Sequence, residues 1–96
     1  MTTIKQIQNW YKSQCNGDWE HTFGVHISTL DNPGWAVDID LTETEVENKE
    51  FIPIINLEPE LDWIHCHVEN NKFKGRGGPE KLEEILLVFL KWVNNK

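Results

Sequence analysis

Cysteine is scarce in this chain: Cys15 and Cys66 are the two that occur, with neither CxxC spacing nor the dense pattern of a disulfide scaffold. No apolar run approaches the ~18–20 residues needed to cross a bilayer, which leaves no candidate membrane span. The opening Met1-Thr2-Thr3-Ile4-Lys5-Gln6 lacks the charged start and apolar stretch of a secretory leader. Together these absences predict a reduced, cytoplasmic protein. Positive charge is also short, with nine Lys and Arg against sixteen Asp and Glu and a formal net charge of −7. The deficit is local. Between Asp38 and Asp62 nine acids face Lys49 alone, a segment that repels phosphate backbones and disfavours nucleic acid as a partner. It suits a basic protein instead, or serves simply as a solvated acidic loop.

What is present argues for a folded globule. The chain is 39% hydrophobic, with five Trp and four Phe in 96 residues, enough for one core and hence one domain over 1–96. Thr3 and Gln6 have capping-box spacing, and Ile4, Ile7, Trp10 and Tyr11 recur at helical intervals before Gly17, predicting a helix over about 3–16. Val25, Ile27 and Thr29 alternate with His26, Ser28 and Leu30 as in a half-buried strand. Asn32-Pro33-Gly34-Trp35 fits a type II turn with Gly34 at positive φ. The returning strand then places Trp35, Val37, Ile39 and Leu41 on one face and Asp38, Asp40 and Thr42 on the other.

Thr42 to Glu50 reads as an exposed acidic connection. Phe51-Ile52-Pro53-Ile54-Ile55 is a short apolar run that Pro53 confines to an edge or bulge, and Glu58-Pro59-Glu60 reads as punctuation. From Trp63 to Glu69 the chain alternates again, Ile64, Cys66 and Val68 against Trp63, His65 and His67. Asn70-Asn71 is a two-residue turn, after which Lys72, Lys74 and Arg76 point outward. Gly77-Gly78 breaks the strand and Pro79 suits the first position of a closing helix. Its stripe is Leu82, Ile85, Leu86, Phe89, Leu90 and Val93. The expected fold is α+β: an antiparallel sheet of four to five strands with an N-terminal and a C-terminal helix on one face.

Three arrangements carry candidate chemistry. His65 and His67 share a strand face, and His-x-His can bind zinc with help from His26, Asp38 or Asp40. A turn at Asn70-Asn71, however, pairs Lys74 with His67 and Arg76 with His65, setting cations beside the supposed metal. Cys66 points to the apolar face, where a buried thiol is inert packing, and Cys15 sits at the negative end of a helix, which opposes a thiolate. Asp18, Glu20 and His21 flank Trp19 and could serve acid–base chemistry. They serve equally to satisfy backbone groups after the helix while Trp19 fills the core. Gly75-Arg76-Gly77-Gly78 lacks the ending and spacing of a phosphate loop.

The string itself is more specific. Trp10-Tyr11, Cys15-Asn16-Gly17-Asp18-Trp19-Glu20-His21, Gly24-Val25 and Thr29-Leu30-Asp31-Asn32-Pro33-Gly34-Trp35 resemble the Imm53 family of bacterial immunity proteins, over about the first 45 residues. The resemblance implies a small cytoplasmic α+β protein that neutralises a cognate polymorphic toxin by binding it, with no enzymatic activity and no cofactor. An acidic surface would suit a basic, nuclease-type toxin. Asp38, Asp40, Glu43, Glu45 and Glu47 are then the expected partner-binding residues, with Trp63 as an aromatic anchor. A small metal- or thiol-dependent enzyme built on His65/His67 or Cys66 is the alternative.

Overall fold

The computed structural model describes residues 2–57 and 62–95. The first helix, α1 (Thr3–Gln14), starts one residue earlier in its capping than the spacing predicts: the Thr2 hydroxyl accepts from the backbone N–H of Lys5. Thr3 donates instead to Glu83 of the closing helix, at 2.8 Å. The helix also stops two residues short of the expected end. Cys15 turns extended, and the Asn16 side chain accepts from the N–H groups of Asp18 and Trp19. That local bond competes with helical pairing, the usual way Asn ends a helix. Gly17 follows at φ +90°, in the left-handed region. A single helical turn, α2 (Trp19–Thr22), comes next and was not legible in the sequence.

Five strands form one antiparallel sheet in the order β1-β2-β5-β4-β3: β1 (Val25–Leu30), β2 (Gly34–Asp40), β3 (Ile54–Asn56), β4 (Ile64–Glu69) and β5 (Lys72–Gly77). The β4–β5 turn is as the sequence predicts, with Asn70 and Asn71 at φ 54° and 59° and Glu69 opposite Lys72. The β1–β2 turn is not. Leu30 pairs with Gly34, so Asp31, Asn32 and Pro33 form the connection; the Asn32–Pro33 peptide is cis, and Gly34 is already strand. The type II assignment is therefore wrong, and the need for glycine lies elsewhere: a Cβ at Gly34 would overlap the backbone carbonyl oxygen of Gly77. β1 is also an edge strand with mostly exposed side chains rather than a half-buried one.

The closing helix α3 (Leu82–Asn94) begins three residues after Pro79. Pro79 belongs instead to the turn before it, closed by Lys81 N–H to Gly78 C=O, and its own carbonyl accepts from the Trp35 indole at 2.9 Å. Both long helices lie over the same sheet face: α3 crosses β2, β4 and β5 and packs along α1. The core is Val37, Ile39, Cys66 and Phe73 from the sheet against Ile85, Leu86 and Phe89 from α3, sealed by Trp10 and Trp19. Phe89 meets both Trp10 and Phe73 edge-on, with centroids 4.9 and 5.2 Å apart, the arrangement aromatic quadrupoles favour. The structure is thus the α+β fold expected, an antiparallel sheet with N- and C-terminal helices. Glu58-Pro59-Glu60 lies outside the described residues.

Candidate functional site

The face of the sheet away from the helices carries the polar residues, in register across the strands. Asp38 sits between His26 and Lys74, with His67 beyond; Asp40 faces Lys72, with Glu69 beyond; Arg76 lies between Ala36 and His65. Three acids on this face thus meet three cations. Arg76 donates to Asp38 at 2.8 Å, and Lys74 reaches Glu69 at 3.6 Å. Asp40 is only 8% exposed and accepts from the N–H of Gly24 at 2.9 Å. It braces the entry to β1, because a buried carboxylate must be hydrogen-bonded to be tolerated. The face is balanced rather than acidic.

The histidines lie as the register predicts, His67 opposite Lys74 and His65 opposite Arg76, with their rings 4.9 Å apart. Among the described residues no group of three or more His, Cys, Asp or Glu side chains is placed to hold a metal ion. Cys66 is fully buried. Burial pushes its thiol up from 9.0 to about 11, and the Glu84 carboxylate adds to the rise. The unfolded chain ionises that thiol near 9.0 and the folded one near 11, so its contribution to stability is intact below pH 9 and declines as pH climbs between those values. At pH 8 an aromatic disulfide reagent should leave Cys66 unmodified in the native protein and modify it once urea unfolds the chain. Rapid native modification, located by peptide mass analysis, would contradict this placement.

The Asp18–His21 cluster is architecture. The Glu20 carboxylate accepts from the N–H groups of Asn16 and Gly17, at 3.0 and 2.9 Å. Its own backbone N–H first, and then these two bonds, hold its pKa below the ordinary carboxylate range, since they favour the charged form. Asp18 and His21 remain exposed, and Trp19 fills the core beneath them, its ring 6.3 Å from Trp10 and 6.1 Å from Tyr11. A groove of about 360 Å³ between α1 and the start of β1 is lined by Ile7, Tyr11, Phe23, Val25 and His26, with no carboxylate among its lining residues.

The connection from Leu41 to Glu50 carries four of the nine acids between Asp38 and Asp62, together with Lys49, and this segment is tightly built. Turns close it at Thr44 N–H to Leu41 C=O, Glu47 to Thr44 and Lys49 to Val46, and Val46 plugs into the core. Three indoles donate into it from the helices. Trp19 reaches the Thr42 carbonyl at 2.9 Å, Trp10 the Glu45 carboxylate at 2.8 Å and Trp92 the Glu50 carbonyl at 2.8 Å. Gln14 holds the other oxygen of Glu45. Lys49 closes onto the last carbonyls of α3, those of Trp92 and Asn95, where a cation also complements the helix dipole. Glu43 adopts φ 63°, uncommon for a side-chain-bearing residue.

The segment is thus a rigid shelf across the end of the helical layer. Glu45 is committed to bracing it. The carboxylates of Glu43, Glu47 and Glu50 enter no ion pair or side-chain hydrogen bond among the described residues. Of the acids expected at a partner interface, Asp38 and Asp40 therefore lie on the sheet, away from Glu43 and Glu47. Trp63 sits just before β4, half-buried, its carbonyl taken by the Gly78 N–H. Sequence reasoning did not single out Glu50, which lies beyond the alternating glutamates and whose carbonyl accepts from the Trp92 indole. The Phe51–Ile55 run, confined by Pro53 to an edge, is largely exposed.

No helix among the described residues is long and apolar enough to cross a membrane. Neither a curated protein nor a solved structure matches the chain. One protein family does, immunity protein 53, and the match runs over residues 4–94, taking in both long helices and all five strands. From the Trp10-Tyr11 pair on α1 to the end of α3, this chain belongs to the Imm53 family of immunity proteins.

Proposed function

We propose that this protein neutralises a cognate bacterial toxin by binding it through the Leu41–Glu50 shelf, without catalysing a reaction and without a cofactor. Family membership supports the class of function. The observation that carries the site is that three indole N–H groups and Lys49 hold the shelf in place while Glu43, Glu47 and Glu50 remain unpaired. A preorganised loop spends little conformational entropy on binding. Unpaired carboxylates at fixed positions accelerate encounter with a basic surface, such as that of a nuclease-type toxin, through a field that salt screens over ~10 Å at 0.1 M. The same charge disfavours nucleic acid as a direct partner.

The test is the triple variant Glu43→Gln/Glu47→Gln/Glu50→Gln, titrated with the cognate toxin domain across a range of salt. It should bind about tenfold more weakly at low ionic strength, chiefly through a slower association rate, and the gap should close at high salt. Glu45→Gln serves as the structural comparison, because its carboxylate is spent on Trp10 and Gln14. Unchanged affinity and unchanged salt dependence in the triple variant would sink the shelf as the binding site.

A further inference from the structure

Immediately after the shelf, four large aliphatic side chains stand in water within six residues: Ile52 at 79% exposure, Ile54 at 40%, and Ile55 and Leu57 at 60% each. Single exposed aliphatics are ordinary, but a contiguous group marks an interaction surface. They lie on and around β3, the three-residue strand at the outer edge of the sheet. Ile55 stands opposite His65 on the open face. Ile54 borders a surface groove of about 430 Å³ with Phe51, Ile52, Val88 and Trp92. Apolar surface therefore wraps around the sheet edge and runs into a cleft beside α3.

We propose that this edge and cleft form the apolar anchor of the toxin interface: the cleft receives a large aliphatic or aromatic side chain from a basic protein, while the neighbouring shelf engages that protein's cations. The inference rests on the immunity reading and adds to it the part of the surface that holds the complex together. An apolar centre beside a charged rim is the usual anatomy of a specific interface. The charges select the occupant. A second copy docked on the same edge would set two chains of net charge −7 against each other, with Glu50 at the cleft of each. β3 is also too short for self-pairing, with Pro53 removing a donor just before it. A basic partner turns the same charges into attraction. Lys49 and Lys91 both border the cleft with Glu50, and the four glutamates of the shelf, Glu43, Glu45, Glu47 and Glu50, outnumber these two cations.

The experiment compares wild type with Ile52→Ser/Ile55→Thr/Leu57→Ser, again titrated with the cognate toxin domain. Affinity should fall about a hundredfold, through faster dissociation, with the salt dependence of wild type retained. The thermal midpoint should stay near that of wild type because these side chains are exposed. Ile52→Ser alone, outside the strand, gives the same comparison without touching sheet pairing, and should bind about tenfold more weakly. Variants that bind within twofold of wild type overturn this inference and leave the immunity reading standing. A wild type that does not bind the toxin overturns that reading, and this inference with it. A wild-type dimer that the triple variant breaks, seen by sedimentation, reassigns the edge to a second copy and overturns the toxin as its occupant.

Discussion

Replacing Trp19 with alanine should lower the stability of this protein by about 3–5 kcal/mol, the range typical for removing a buried large aromatic. Urea unfolding followed by far-ultraviolet circular dichroism measures it. Trp19 is 2% exposed, and its ring touches Trp10, Tyr11 and Phe23 at centroid separations of 6.0–6.3 Å. Alanine leaves a cavity that neighbours on α1 and at the entry to β1 cannot all collapse into. A domain of this size holds about 5–15 kcal/mol in total, so the variant stands close to unfolding. The loss also reaches the shelf, because the indole N–H is what holds the Thr42 carbonyl. Trp19→Phe keeps most of the packing and loses that bond, and should cost about 1 kcal/mol beyond the change in ring size. Hydrogen exchange at the Thr44 and Glu47 amides should quicken in both variants. A Trp19→Ala cost below about 1 kcal/mol would mean that the aromatic cluster is not the keystone described.

Gly34→Asn should be as damaging as Gly34→Ala, each costing about 1–3 kcal/mol or more as an overpacked position. Had a left-handed turn been the reason for glycine, Asn would be tolerated, since it enters that region more readily than other residues. Instead any Cβ strikes the Gly77 carbonyl, which belongs to β5, the strand paired along β2, and cannot move without disturbing that pairing. Gly17 is the control. It sits at φ +90° with no atom within 4 Å of a built Cβ, so backbone strain alone is at issue: Gly17→Ala should cost about 1 kcal/mol and Gly17→Asn less, since Asn enters the left-handed region more readily. Chemical denaturation of the four variants separates the two mechanisms. Tolerance of Asn and not Ala at Gly34 would restore the turn explanation.

These two positions also divide what could be read from the chain. Patterns with a local cause were legible. The alternation from Trp35 to Leu41, the left-handed Asn70-Asn71 turn and the stripe from Leu82 to Val93 each follow from periodicity or from one residue's backbone preference, and the register that sets Lys74 beside His67 follows from the turn. Patterns with a distant cause were not. The cap of α1 shifted because Thr3 is claimed by Glu83, eighty residues away. Pro79 lies outside α3 and lends its carbonyl to the Trp35 indole.

The candidate site shows the same division. Composition alone located the acidic excess between Asp38 and Asp62, because charge is counted residue by residue. Which carboxylates remain available is a matter of partners. Asp38 is taken by Arg76, Asp40 by Gly24, and Glu45 by Trp10 and Gln14, each at least sixteen residues distant in sequence. The sequence by itself determined the family, the α+β class and the location of the charge, since these depend on residue identity and short-range order. Tertiary structure alone decided that the Glu43, Glu47 and Glu50 carboxylates have no partner among the described residues, on an indole-braced shelf beside exposed Ile52 and Ile55. Hydrogen-bond satisfaction and burial are properties of neighbours in space, and chain order does not specify them.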